Sequence, residues 1–312
     1  MLKISKGKQV RAQKVVIYGP EGVGKSTLAS DLPSPLFLDA EGGTDHLDCE
    51  RVIANKMSDI TNAVNSLQLD TQKYKTLILD TVDWVEKKMS SELCAKHNVD
   101  SIEKVEGGYG KGYTMLEESM MKFLSSLDRL REKGMHVVLL AHSKVQRHED
   151  PELASSYDRY QLKLEKKTSA LVKEWADALL FFNFVTKVTD RAGTMGSKRG
   201  VGGKERVLHT ERTAAFDAKN RHNLHGAIKV PSENPASEIS VIFENIKKQN
   251  NQRSELESIL KSAGTKKEID SFLKSTGKTI DGIKDQILKR PEKFIEAVHK
   301  HNDNIDLTPV NK

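Results

Sequence analysis

The chain has 312 residues, a net charge of +6, and 37% hydrophobic, 30% charged and 5% aromatic residues, the profile of a globular protein rather than a disordered one. No apolar window approaches the ~18 residues a membrane span needs, and the first fourteen residues carry lysines without a leader's apolar core, so a cytoplasmic protein with no membrane partner is expected. Cys49 and Cys94 stand apart, without the spacing of a disulfide framework or a zinc site.

After a short extension (1–13), the run KVVIY (14–18) reads as a buried strand. It feeds Gly19-Pro20-Glu21-Gly22-Val23-Gly24-Lys25-Ser26-Thr27, which fits GxxxxGK[ST], with a helix-forming run behind it. Glycines let backbone N–H groups curl around phosphates, Lys25 reaches the β- and γ-phosphates, and the Ser26 hydroxyl is placed for Mg²⁺. The implied ligand is a nucleoside triphosphate, ATP, with Mg²⁺.

PLFLD (35–39) is the second strand, and it ends in LFLDAEGG (36–43). Asp39 and Glu41 are two residues apart, so in an extended strand both point to one side, and the spacing does not say which faces the phosphate. A helix is expected over 61–69. KTLILD (75–80) ends in Asp80, the second metal-supporting carboxylate. Thr81 follows it rather than glutamate, so a water-activating base has to come from elsewhere.

Past a helix over 84–97, EGGYGKGY (106–113) interleaves glycines with Tyr109, Lys111 and Tyr113, the mixture of stacking faces and charge that single-stranded nucleic acid favours. A helix over 115–133 leads to the strand HVVLLAH (136–142). The next stretch, of about 25 residues, is poor in apolar groups and reads as a long functional loop, with Lys144, Arg147, Arg159 and Tyr160 as candidate contacts. ALLFFNF (178–184) is another strand. The segment 190–206 carries Arg191, Lys198, Arg199, Lys204 and Arg206 against Asp190 and Glu205 and reads as a basic hairpin arm. RVLHTE (206–211) and AAFDAKNR (214–221) are the last strand candidates, and PSENP (231–235) marks the approach to a boundary. The tail shows capping patterns, Ser254 with Glu257 and Thr265 with Glu268, and Pro291 at a helix start, so three or four short helices are expected. From residue 247 onward fourteen Lys/Arg against ten Asp/Glu give it +4 of the total, enough to make it a candidate accessory module for DNA or a partner.

The P-loop, Glu41, Asp80-Thr81, a polar-tipped strand at His142 and AKNR together resemble the RecA-like ATPases, and among them the phage recombination proteins of the Sak single-strand-annealing group. The resemblance covers residues 14–230. It implies that Glu41 polarises the attacking water, that His142 stands where a γ-phosphate sensor, usually glutamine, is found, and that Lys219 and Arg221 reach across a subunit interface to the neighbour's ATP.

The expected architecture is α/β: a RecA-like P-loop NTPase core over 14–245, with a mostly parallel twisted sheet flanked by helices, and a small helical domain over 246–312. The expected activity is ATP-dependent DNA recombination by a homo-oligomer, ring or filament, that binds single-stranded DNA and promotes annealing or strand pairing. A single-strand-binding protein or other recombination factor is a candidate partner. Three rivals carry the same P-loop. One is a ring-forming, helicase-like motor; another is a small-molecule kinase; in the third, ATP gates DNA binding without turnover.

Overall fold

The computed structural model describes residues 11–71, 73–149, 155–190 and 198–306; the side chains of 186–202, 244–254, 281, 284, 285 and 304–306 fall outside that description. The order of elements is β1 (Lys14–Gly19), α1 (Lys25–Ser30), β2 (Pro35–Asp39), β3 (Arg51–Ile53), α2 (Met57–Leu69), β4 (Thr76–Asp80) and α3 (Val82–Lys96). A 3-10 segment (Ile102–Gly107) precedes α4 (Lys111–Glu132), β5 (His136–His148), β6 (Tyr157–Leu162), α5 (Lys166–Trp175), β7 (Ala178–Asp190), β8 (Lys198–His209) and β9 (Ala227–Val230). The chain ends in α6 (Val241–Ala263), α7 (Lys266–Thr276), α8 (Ile280–Lys289) and α9 (Pro291–Asp306).

The strands form one sheet in the order β3-β2-β4-β5-β1-β7-β8-β9, with β6 paired to β5. From β3 to β7 the neighbours are parallel, and β7 to β9 and β5–β6 are antiparallel. The continuous apolar runs follow from burial on both faces. Val16, Tyr18, Leu38, Leu79, Leu139 and Phe181 enter one core with α2 to α5. Their alternates Val15, Ile17, Phe37, Ile78, Leu140 and Phe182 enter the other, with Leu28 of α1 and Phe243 of α6. This is a P-loop NTPase core.

Register places the functional ends together. Gly19 pairs with His142 across β1 and β5, and Asp39 pairs with Asp80 across β2 and β4.

Several expectations are corrected. The long loop after His142 is a hairpin: β5 runs on to His148 and pairs with β6 from Ser143↔Leu162 to His148↔Tyr157. Its residues are mostly polar, with Leu162 and Tyr160 meeting the core, which is why apolar content failed to reveal it. Helix α4 starts at Lys111, so Lys111 and Tyr113 belong to its first turn and not to the glycine loop. Residues 214–221 form no strand, only the bridges Tyr160↔Phe216 and Leu179↔Lys219. Strands β3 and β9 are short and half-exposed and lacked an apolar signature.

By contacts the chain divides into residues 1–243 and 244–312. The second unit has its own core of Leu256, Ile259, Ile269, Leu273, Ile287, Phe294 and Val298. Thr265 and Glu268 form the expected capping box, whereas Ser254 lies inside the continuous helix α6.

Gly19 has a packing reason beyond the motif, since a Cβ there would lie 1.9 Å from the carbonyl oxygen of Phe182. Gly19→Ala is expected to lower stability by about 1–3 kcal/mol, read as a lower urea midpoint. An unchanged midpoint would contradict this packing.

Candidate active site

The loop between β1 and α1 holds Gly22 and Gly24 at φ 72° and 96°, conformations that favour glycine. Lys25 folds back beneath it, its Nζ donating to the carbonyls of Gly19 (3.2 Å) and Pro20 (2.9 Å). Burial pulls its ammonium below its ordinary pKa, and Asp80 opposes that shift. The Ser26 hydroxyl donates to Asp80 Oδ2 at 2.6 Å. Burial pushes the Asp80 carboxyl up to about 6 despite that bond. A cation against the loop and an acid beside a hydroxyl fit a magnesium nucleotide. Lys25 and the loop amides would hold phosphate, and Ser26 and Asp80 would hold Mg²⁺.

The two acids at the end of β2 and just beyond it, Asp39 and Glu41, have different surroundings. Asp39 Oδ1 accepts from the amides of Glu41 (3.1 Å), Gly42 (2.6 Å) and Gly43 (3.3 Å), and Oδ2 from the amide (3.1 Å) and hydroxyl (2.6 Å) of Thr44. Burial alone would raise its carboxyl, but these donors hold it below the usual carboxylate value. Asp39 therefore shapes the loop that carries Glu41. The amides of Ala40 (2.8 Å) and Glu41 (3.2 Å) also donate to the Asp80 carbonyl, tying that loop to the end of β4.

Glu41 keeps a side chain 31% exposed, its Oε2 3.9 Å from His142 Nε2 and 3.4 Å from the Thr81 hydroxyl, which donates to it. His142 is held from behind by Asp83, a residue the sequence reading passed over. Its Nδ1 lies 3.0 Å from Asp83 Oδ2 and its amide donates to Oδ1 at 3.0 Å. Burial pushes the Asp83 carboxyl up, but its hydrogen bonds with His142 and Thr81 outweigh that and hold it low. The available signal was the spacing Asp80-Thr-Val-Asp83, which puts a second acid in the first turn of α3.

A second unexpected neighbour is Arg206, expected on the basic arm. Its Nη1 lies 3.5 Å from the Val23 carbonyl, and a Cβ on Gly24 would come within 2.5 Å of that nitrogen.

Lys219 and Arg221 stand apart from this cluster. Leu179, the bridge partner of Lys219, pairs with Val16, below Gly19 on β1. Lys219 Nζ donates to the Glu174 carbonyl (3.3 Å), and Arg221 pairs with Asp177 at 2.9 Å, beside the start of β7.

Of the candidate nucleic-acid residues, Tyr109 is fully exposed at φ 52° among glycines, and Lys111 is exposed. The Tyr113 hydroxyl donates to Glu103 at 3.2 Å. Lys144 donates to the Leu164 carbonyl at 2.7 Å, and Arg147 is exposed, donating to the Ser156 hydroxyl at 2.7 Å. Arg159 and Tyr160 do not face outward: Arg159 is 4% exposed and paired with Asp217, and Tyr160 stacks near Phe181. Lys204 is exposed on β8, whereas the side chains of Lys198 and Arg199 lie outside the described residues.

The AAA domain family (AAA_24) matches residues 11–222, which span this site and every strand of the sheet except β9. The chain belongs to that family. An AAA domain is a P-loop ATPase module, in keeping with the Lys25, Ser26 and Asp80 arrangement. The chain is also similar to the SPbeta prophage-derived uncharacterized protein YorG of Bacillus subtilis (strain 168), with 23% identity over 261 residues, 80% of this chain and 76% of that protein. Among the described residues no helix is long and apolar enough to cross a membrane.

The raised Asp80 pKa has a measurable sign. The ligand-free folded state holds a proton between the ordinary value of 3.8 and about 6, so burying the charged form costs stability as pH rises through that window. Asp80→Asn is expected to match wild type near pH 4 and to exceed it by on the order of 2–3 kcal/mol above pH 7, while losing Mg²⁺-dependent nucleotide binding. Urea unfolding across pH checks it, and a pH-independent difference would refute the shift.

Proposed function

We propose that the protein hydrolyses ATP with Mg²⁺ in a homo-oligomer on single-stranded DNA and promotes annealing or strand pairing, as the Sak-like recombination proteins do. The observation that carries the ATPase part is the convergence of Lys25, Ser26, Asp80, Glu41 and His142 on the ends of four neighbouring strands. In this reading the P-loop residues 19–27 bind the phosphates, and Mg²⁺ supplies charge neutralisation of the β- and γ-phosphates. Glu41, exposed and unencumbered by the loop amides that saturate Asp39, accepts the proton of the attacking water. His142, fixed by Asp83, stands beside that base and relays the state of the site to β5.

Lys219 and Arg221 lie below their own P-loop, and this favours a role toward a neighbouring subunit's nucleotide, where cations on the transition-state charge are worth the most. The DNA part is supported by the exposed Tyr109 among glycines, the β5–β6 hairpin with Arg147, and Lys204 on β8. Helix α4, which starts at that glycine loop, meets the start of α5 through Lys167 with Thr114 (3.0 Å) and Glu117 (3.1 Å), close to where β6 returns to the site. The prophage-derived relative supports a phage setting, with the helical tail as the candidate contact for a single-strand-binding protein or other recombination factor.

ATP hydrolysis measured with and without single-stranded DNA tests the reading. Wild type is expected to be stimulated by DNA, Glu41→Gln to lose roughly 10²–10⁴-fold in turnover, and Lys219→Ala to lose hydrolysis while still binding nucleotide. A rate indifferent to DNA, or a normally active Glu41→Gln, defeats it, and closed rings that unwind forked duplex would favour the motor alternative. Separately, Tyr109→Ala is expected to weaken single-stranded DNA binding about 10-fold in a fluorescence anisotropy titration, the loss of one stacked base. Unchanged binding removes this loop from the interface.

A further inference from the structure

The end of β6 brings a second lysine to the phosphate loop. Lys163 Nζ lies 3.2 Å from Oε1 of Glu21, the acid in the middle of the loop between Pro20 and Gly22. Lys25, which is buried, bonds the carbonyls of Gly19 and Pro20 in the same loop, so two ammonium groups contact the motif.

The backbone that carries Lys163 is held fast. Its amide donates to the His142 carbonyl at 2.8 Å, and His142 is itself the register partner of Gly19. The next residue's carbonyl, that of Leu164, accepts from Lys144 at 2.7 Å. The Glu165 amide donates to both oxygens of Glu86, at 3.2 and 3.0 Å, and Thr168 bonds the same carboxylate. The side chain is held far less tightly. Lys163 and Glu21 are 43% and 73% exposed, and an ion pair in that much water contributes little. A long, half-exposed cation on a fixed base, held on a loop acid by a weak pair, stands within reach of the loop that would hold phosphate.

We infer that Lys163 is a γ-phosphate-binding residue supplied in cis, parked on Glu21 and transferred to the terminal phosphate of a bound nucleoside triphosphate. The inference rests on the nucleotide-binding reading above and goes beyond it. It gives the β5–β6 hairpin a direct chemical contact with the group that is lost on hydrolysis, because Lys163 directly follows the hairpin's returning strand. The transfer makes no covalent bond; an ion pair with Glu21 is replaced by one with phosphate.

The test is discrimination between triphosphate and diphosphate in binding, independent of turnover. Titrations with adenylyl imidodiphosphate and with ADP, both with Mg²⁺, are made on wild type, Lys163→Ala, Lys163→Arg and Glu21→Gln. Lys163→Ala is expected to weaken the triphosphate analogue about 10-fold, one charge-assisted contact, and to leave ADP unchanged, which also shows the variant folded. Lys163→Arg should restore much of the loss, and Glu21→Gln, which releases the lysine, should tighten the analogue alone. Equal effects on both nucleotides, or none on either, overturn the assignment of Lys163. Failure of wild type to bind either nucleotide instead overturns the nucleotide-binding reading on which it stands.

Discussion

The register of four parallel strands is the constraint on which the rest of the molecule depends. Because β2, β4, β5 and β1 are neighbours in that order, their carboxyl ends deliver Asp39, Asp80, His142 and Gly19 to one edge, with Asp39 level with Asp80 and His142 level with Gly19. A slip of one residue in any of these pairings would turn every side chain of that strand to the wrong face. The slip is prevented by the two apolar cores, which take alternate residues of each strand and leave no face for a charged group. The placement of these residues is thus a by-product of hydrophobic burial several residues away.

Within that edge, three buried acids are told apart by how many donors they receive. Asp39 is saturated by loop amides and a threonine, and Asp83 by the ring and amide of His142, so both carry their charge comfortably. Asp80 receives one hydroxyl, from Ser26, and burial drives its carboxyl up although Lys25 opposes the shift. Donor count, a purely local quantity, separates Asp80 from Asp39 and Asp83.

Much of this was legible in the sequence. The P-loop motif was readable as a pattern of residue types, and the strands through Asp39 and Asp80, the buried part of β5 up to His142 and the helices α2, α3 and α4 carry apolar patterns strong enough to read, because burial writes itself into the sequence. Three kinds of feature were not legible. Pairings made by polar strands, such as β5 with β6, leave no apolar trace. Arg159, an arginine in a polar stretch, reads as exposed until a distant partner, Asp217, is brought to it by the fold. Asp83 and Lys163 acquire their meaning from contacts with residues far away in the chain, His142 and Glu21, which no local window contains.

Strand β5 has a mechanical consequence. It is a single strand of 13 residues, buried as far as His142 and then running on as the hairpin. The six residues beyond His142 extend about 20 Å at the usual rise per residue. The edge that carries His142 and the exposed residues beyond it thus belong to one hydrogen-bonded ribbon, which the contacts of Arg159 and Tyr160 tie back to residues 215–217.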